Sequence, residues 1–191
     1  MYKVYPKIIL ACLLLVMTGT VYSQRVTQTI NDGWKFSLFE GDASTADFDI
    51  SGWTDVSIPH TWNAKDADDE IPGYFRGKGW YRKVVAVEEL IPEQRVYLSF
   101  EGANQETNVF VNGTFVGNHK GGYSAFTFDV TDYVHAGRNL IAVSVDNSHN
   151  PDIAPLSADF TFFGGIYRDV YLVYTSPVQL STCLLYTSDA A

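Results

Sequence analysis

Asn108-Val109-Phe110-Val111-Asn112-Gly113-Thr114-Phe115-Val116 decides the fold class. Apolar residues alternate up to Asn112-Gly113 and resume directly after it. Asn-Gly supplies the two positive φ angles of a type I′ turn, so the run predicts a β-hairpin. The same period-two pattern continues outward. Gln94–Phe100 puts Val96, Leu98 and Phe100 on one face, and Asn139–Val145 does the same with Ile141, Val143 and Val145. Trp80–Val87, stopped by Glu88-Glu89 and Pro92, and Ile166–Val173 complete a set of six expected strands. No window of 12 or more residues carries a helical period. A single short turn is expected at Thr131–Val134, with Thr131 or Asp129 as its cap. Short strands, turn signals between them and 15% aromatic residues predict an all-β, jelly-roll β-sandwich. Its long connections fall at 60–79 and 147–165. Internal repeats, low-complexity segments and flexible linkers are absent from the sequence.

The ends read differently from the middle. Lys3 and Lys7 precede an apolar run from Ile8 to Met17, and Val21 and Ser23 stand like a cleavage signal before Gln24. Residues 1–23 therefore read as a secretory signal peptide, which implies export to the periplasm or the exterior and no membrane anchor after cleavage. Cys183–Ala191 matches, residue for residue, the translation of a transposase-type sequencing adapter, so residues 183–191 are expected not to be native. Residues 24–182 are left as one domain, long enough to bury a core without cross-links. Both cysteines, Cys12 and Cys183, fall in the end segments, so this domain has neither a disulfide nor a thiolate metal site. The net charge is −9, and it is one charge more negative without Lys3, Lys7 and Asp189. An acidic surface repels nucleic acid and anionic lipid and suits a neutral partner such as a sugar.

Several residue patterns have chemistry to offer. In Asp159-Phe160-Thr161-Phe162-Phe163-Gly164-Gly165-Ile166-Tyr167-Arg168-Asp169-Val170, a carboxylate leads into aromatics and a Gly-Gly corner. Asp159 has two readings. It is a turn aspartate bonded to its own backbone, or it accepts hydrogen bonds from sugar hydroxyls or shares a cation with them. Gly164-Gly165 is expected to turn sharply or pack closely before the last strand. Arg168 and Asp169, adjacent on that strand, would point to opposite faces and make structural bonds. His60 has no nucleophile motif near it and reads as a packing residue. Tyr74, Phe75 and Trp80 could present an apolar face to a sugar ring, with core packing the expected use of Trp80. Asp66-Ala67-Asp68-Asp69-Glu70 lacks the spacing of a calcium loop and reads as solvated. It also lacks the geometry of a glycosidase carboxylate pair. Gly73–Gly79 is glycine-rich without phosphate-loop spacing, and Asn112-Gly113-Thr114 is a nominal glycosylation sequon that the hairpin turn already explains.

Four blocks, at 58–83, 110–126, 145–148 and 159–170, together resemble the N-terminal sugar-binding domain of glycoside hydrolase family 2. The carrying segments are Ile58-Pro59-His60-Thr61-Trp62-Asn63, Gly77-Lys78-Gly79-Trp80-Tyr81-Arg82-Lys83, Val111-Asn112-Gly113 with Gly121-Gly122-Tyr123, Val145-Asp146-Asn147-Ser148, and the Asp159 run. The resemblance implies a galactose-binding-domain-like jelly roll at the start of a secreted exo-glycosidase. The parent is expected to be β-galactosidase-like, with β-glucuronidase and β-mannosidase as alternatives. It implies retaining hydrolysis by two glutamates on a downstream (β/α)8 barrel that follows an intervening β-sandwich, with no catalytic residue in this chain and no activity for it alone. The partner would be the terminal β-linked sugar of an oligosaccharide or polysaccharide. Asp159 would approach that sugar, in some members through sodium; magnesium is a second cation for the complete enzyme. Arg76 occupies, by spacing, the place where some β-galactosidases hold a substrate hydroxyl with Asn, and Tyr74 lies beside it. A stand-alone carbohydrate-binding module and a non-catalytic scaffold domain are the competing expectations.

Overall fold

The computed structural model describes residues 25–66, 73–157 and 159–177. The expected leader, the Cys183–Ala191 segment and residues 67–70 of the acidic run lie outside the described residues. Among the described residues, ten strands form two antiparallel sheets. They are β1 (Arg25–Thr29), β2 (Trp34–Leu38), β3 (Thr54–Val56), β4 (Lys78–Val87), β5 (Arg95–Phe100), β6 (Glu106–Val111), β7 (Thr114–Lys120), β8 (Phe126–Asp129), β9 (Gly137–Asp146) and β10 (Val170–Thr175). One sheet has the order β1-β10-β5-β8 and the other β3-β2-β4-β9-β6-β7. The chain is thus the all-β sandwich that its alternation predicts.

The core lies between the sheets and is built from the alternating residues. Val96, Leu98 and Phe100 of β5 and Leu172 of β10 come from one sheet. Val109 and Val111 of β6 and Ile141, Val143 and Val145 of β9 come from the other. Each such side chain contributes about 1.5–3 kcal/mol when fully buried. Trp34 and Tyr81 add edge-to-face aromatic packing at 6.4 Å. Strand β4 is covered on both faces. Its Trp80 joins Ala43, Ala142, Phe48, Trp53 and Phe110 in a small outer cluster, and its indole N–H donates to Gly41 O at 3.0 Å. The neighbouring buried Arg82 donates to Ala43 O at 3.0 Å and stacks on Phe48 at 5.9 Å. The segment around residues 41–53 therefore closes the outer face of the larger sheet.

The hairpin turn at Asn112 and Gly113 has φ of 51° and 82°, as a type I′ turn requires. The Asn112 amide donates to Tyr133 O and Asn139 Oδ1, both at 2.9 Å, and its oxygen accepts the Leu140 N–H. Both hydrogens of the sequon amide are used in holding the turn.

Three expectations shift. The last strand starts at Val170, not Ile166, because Ile166 O accepts from the His60 amide and Gly165 bridges Asn104 instead of joining the ladder. Arg168 and Asp169 consequently precede the strand. Asp169 accepts from Asn31 at 2.9 Å and from the Tyr171 hydroxyl at 3.0 Å, and Arg168 stacks on Tyr167 at 5.5 Å. The short turn is a 3-10 helix at Thr131–Tyr133 whose N-cap is Val130, without a side-chain cap bond. The Thr131 hydroxyl is engaged instead with the β5 backbone, where it accepts the Val96 N–H at 2.9 Å.

Leu98 sits on β5 between β10 and β8 and is fully buried. Leu98→Ala is expected to lower unfolding stability by about 2–5 kcal/mol. Val84→Ala, at a position 46% exposed on β4, should stay within about 0.5 kcal/mol. Urea denaturation of the two variants measures the contrast.

Candidate functional site

The loops at one end of the sandwich have almost no sheet ladder to satisfy their backbone. Two buried asparagine side chains do so instead. Asn147 follows directly after β9, and its Oδ1 accepts the Gly77 N–H at 2.9 Å. Its amide hydrogens are shared among Phe162 O at 2.9 Å, Asn63 Oδ1 at 3.3 Å and Phe75 O at 3.4 Å. Asn63 Oδ1 also accepts the Gly164 N–H at 2.6 Å, and its amide donates to Phe75 O and Asp66 Oδ2, both at 2.7 Å. Asp66 then accepts the Phe75 N–H at 2.8 Å. A primary amide suits this task because it carries two donors and an acceptor on one planar group. Loops 61–66, 75–77 and 162–164 are thereby tied to the end of β9.

Glycine at 164 and 165 is what allows the approach. A Cβ at Gly164 would overlap the Trp62 indole and crowd Asn147. Gly165 has φ of 124°, and a Cβ there would press on His60 O and Tyr81 Oη. Asn104 provides a second anchor. Its side chain donates to Phe163 O at 2.8 Å, and its backbone pairs with Gly165 at 3.0 and 3.2 Å.

On this scaffold the loops present side chains outward. Asp159 is exposed, and among the described residues its carboxylate makes no hydrogen bond or ion pair. It differs in this from Asp42, Asp49, Asp129 and Asp146, each of which accepts the amide two residues on. The turn reading of Asp159 therefore has no bond behind it. Arg76 is half-buried. Its Nε and Nη2 donate to Tyr74 Oη at 3.0 and 2.6 Å, and its guanidinium carbon lies 5.1 Å from the Tyr74 ring centroid and 4.9 Å from that of Phe162. Phe162 stands 5.3 Å from Phe160, which meets Tyr123 edge-on at 6.4 Å. Phe75, Tyr123, Leu156, Phe160 and Phe163 are all large and exposed. Tyr74, Arg76 and the Asp159 loop thus share one face. Trp80 does not belong to it, being buried under the 41–53 segment. Asn63 and Asn147 had no chemical signature in the sequence beyond their places in the family-like blocks.

His60 is a packing residue, as expected. Its ring lies 4.7 Å from Phe36, and Nδ1 is 2.8 Å from the Tyr81 hydroxyl. Burial holds the imidazole below its ordinary 6.5 and pushes the Tyr81 phenol up. Among the described residues no three His, Cys, Asp or Glu side chains cluster to hold a metal ion. Two hollows, of about 230 Å³ beside Asp32 and Lys83 and about 150 Å³ beside Glu106 and His149, include none of Tyr74, Arg76 and Asp159.

The family model for the sugar binding domain of glycosyl hydrolases family 2 matches residues 27–177. The chain belongs to this family. A putative β-glucuronidase of Formosa agariphila is 37% identical over 174 residues, covering 88% of this chain and 21% of the relative. A β-galactosidase of Thermoanaerobacter pseudethanolicus is 40% identical over 157 residues, covering 77% of this chain and 19% of the relative. The crystal structure of a Bacteroides uniformis β-glucuronidase superposes with a TM-score of 0.74 at 46% identity, covering 80% of this chain and 18% of that one. The chain spans about a fifth of the length of these family 2 relatives.

Asn147→Ala would leave the Gly77 N–H and Phe162 C=O without their partner, at about 1–3 kcal/mol for each buried group left unmet. Chemical denaturation should show a clear loss, and an unchanged midpoint would remove Asn147 as the tie. A second expectation concerns pH. The folded-state pKa of His60 lies below the unfolded value of 6.5, so the unfolded chain binds the proton more readily. Burial lowers His119 as well. Stability should be flat above about pH 7 and fall as pH drops through 6.5, well above the carboxylate range. His60→Gln should flatten the melting-temperature profile between pH 7.5 and 5.5, whereas a wild-type profile already flat there would contradict the assignment.

Proposed function

We propose that this domain is the N-terminal part of an exported exo-β-glycosidase and lends one wall of the substrate site to a catalytic barrel later in the same parent chain. The observation that carries the reading is Asp159, exposed and without a bond among the described residues, on a loop that Asn147 and Asn63 hold at Phe162 and Gly164. A carboxylate left free on a fixed loop is preorganised to accept hydrogen bonds from substrate hydroxyls. The surrounding exposed rings, Phe75, Tyr123, Phe160 and Phe163, suit cover by another domain. Family 2 relatives named β-glucuronidase and β-galactosidase, of which this chain matches only about a fifth, support the multidomain parent.

In this reading the bond-breaking carboxylates belong to the barrel. One protonates the leaving oxygen and the other attacks the anomeric carbon. The present chain binds and orients; Asp159 holds hydroxyls of the terminal sugar, and Tyr74 and Arg76 border the same space. A sodium ion bound by Asp159 would complete its ligands from the barrel and the sugar. Signal-peptide export, through residues 1–23, places the reaction in the periplasm or outside the cell. A galactoside or a glucuronide as the terminal sugar is compatible with the relatives.

Long-read sequencing beyond the codon for Thr182 tests the multidomain parent. An open frame encoding a β domain and a barrel with two facing glutamates is expected; a native stop soon after residue 191 would instead favour a stand-alone carbohydrate-binding module. In the complete protein, Asp159→Ala should reduce kcat/KM on the true substrate by about 10–100-fold, the worth of charge-assisted hydrogen bonds of about 1.5–3 kcal/mol. Its melting temperature should be retained, because the carboxylate makes no bond among the described residues. Unchanged kinetics would remove Asp159 from the site.

A further inference from the structure

The Asn147 tie at Phe162 keeps Asp159 near the site face, but Phe160 and Thr161 still separate the two. Among the described residues, the backbone of 159–161 makes no hydrogen bond of its own. Phe160, next to Asp159, has ring contacts instead. Its ring lies 5.3 Å from Phe162 and meets Tyr123 edge-on at 6.4 Å, with an interplanar angle of 87°. Phe162 belongs to the same loop, whereas Tyr123 comes from a separate element, the turn between β7 and β8. That turn is well held. The Gly121 N–H donates to Gln105 O at 3.0 Å, and the Tyr167 hydroxyl donates to Gly122 O. A Cβ at Gly122 would overlap Asn104 Oδ1, so the turn lies directly on the residue that also donates to Phe163 O. Burial, with Tyr167 and Tyr74 close by, pushes the Tyr123 phenol up, and the ring meets Phe160 uncharged.

We infer that Tyr123 is a positioning residue, which through Phe160 sets where the Asp159 carboxylate stands on the site face. The inference rests on the proposed role of Asp159 and adds the group that aims it. A hydrogen bond to Asp159 itself would hold it more tightly, but would spend an acceptor that the substrate needs. Clamping the neighbouring ring narrows the positions open to the carboxylate and leaves its oxygens free. This matters because a group that orients a substrate contributes to rate only where it is already in place. An edge-to-face pair of this kind favours one loop position over others by about two- to tenfold. Packing alone does not account for the pair. Tyr123 and Phe160 are 50% and 51% exposed, and neither belongs to the core between the sheets.

The test is a double-mutant cycle in the complete enzyme. It is assayed on whichever of the p-nitrophenyl β-D-glucuronide, β-D-galactoside and β-D-mannoside the wild type cleaves fastest. Tyr123→Ala should lower kcat/KM by about three- to tenfold, the bias that such an aromatic pair supplies. Phe160→Ala removes the other ring, should give a similar loss, and carries the test if the tyrosine variant does not fold. In an Asp159→Ala background either change should matter by less than about 1.5-fold, because the group being aimed is gone. Tyr123→Phe, which keeps the ring, should restore nearly the full rate. Losses of equal size with and without Asp159 would overturn the inference, marking the rings as structural or as cover between domains. No loss in Tyr123→Ala and Phe160→Ala would overturn it too, as would Tyr123→Phe as slow as Tyr123→Ala. In each of these cases a slowed Asp159→Ala enzyme leaves the proposed site intact. An Asp159→Ala enzyme as fast as wild type would remove Asp159 from the site and this inference with it. Activity on none of the β-glycosides would count against the glycosidase reading itself, and the inference would fall with it.

Discussion

The site face depends on one constraint, which is that loops without a sheet ladder must still satisfy their backbone. The strands of this sandwich do that among themselves. The described parts of the connections 60–77 and 147–165 cannot, because they leave the sheets and pack on one another. Asn147 and Asn63 resolve the problem with two side-chain amides, each reaching backbone groups far away in sequence. Burial makes these bonds consequential, since a buried amide or carbonyl left unmet costs more than the same bond contributes at the surface. Gly164 belongs to the same constraint. The indole of Trp62 fills the space a side chain would need, so the backbone amide can come within 2.6 Å of Asn63.

That rigidity has an outward consequence. Asp159 stands three residues before Phe162, whose carbonyl Asn147 holds, and two further positions along lies Gly164, held by Asn63. The loop's path is therefore set by bonds made behind it, while its charged and aromatic side chains remain outside. A sandwich whose core is complete does not need Phe160, Phe163 and Tyr123 half exposed on one face. Exposed rings of this kind cost solvation free energy in the isolated domain and repay it only when covered.

Much of the fold was legible because period-two alternation reports burial directly. Val96, Leu98 and Phe100, and Ile141, Val143 and Val145, are core residues on the faces that the pattern assigned. The strands that left no mark are those whose burial is one-sided or brief. Strand β1 is an edge strand exposed throughout, so Arg25–Thr29 shows no alternation. Strand β3 has three residues, and β2 and β8 have five and four. The site was legible differently. Asp159, Tyr74 and Arg76 could be singled out by chemical type and by family-like blocks, yet their common face arises from contacts such as Arg76 on Phe162, across 86 positions of sequence. Asn63 and Asn147 were illegible as ties, because a buried asparagine and a solvated turn asparagine look alike until the partners are known.

The two charged groups on this face are prepared in opposite ways, and the difference bears on what each can do. Arg76 is long and would lose much rotamer freedom on binding, so holding it beforehand by the Tyr74 hydroxyl and the Phe162 ring lowers the cost of a later contact. Asp159 is short, and it needs only a position three residues from the held Phe162 carbonyl to stay near this face. Had Asp159 paired with Arg76, the two would have neutralised one another and left the face with little to offer a polar ligand. Their separate disposition, a donor held by the Tyr74 hydroxyl and the Phe162 ring and an acceptor carried on the next loop, gives the face both signs of hydrogen bonding at once. A sugar edge presents donors and acceptors side by side and calls for that combination, and a flat apolar platform alone would not supply it.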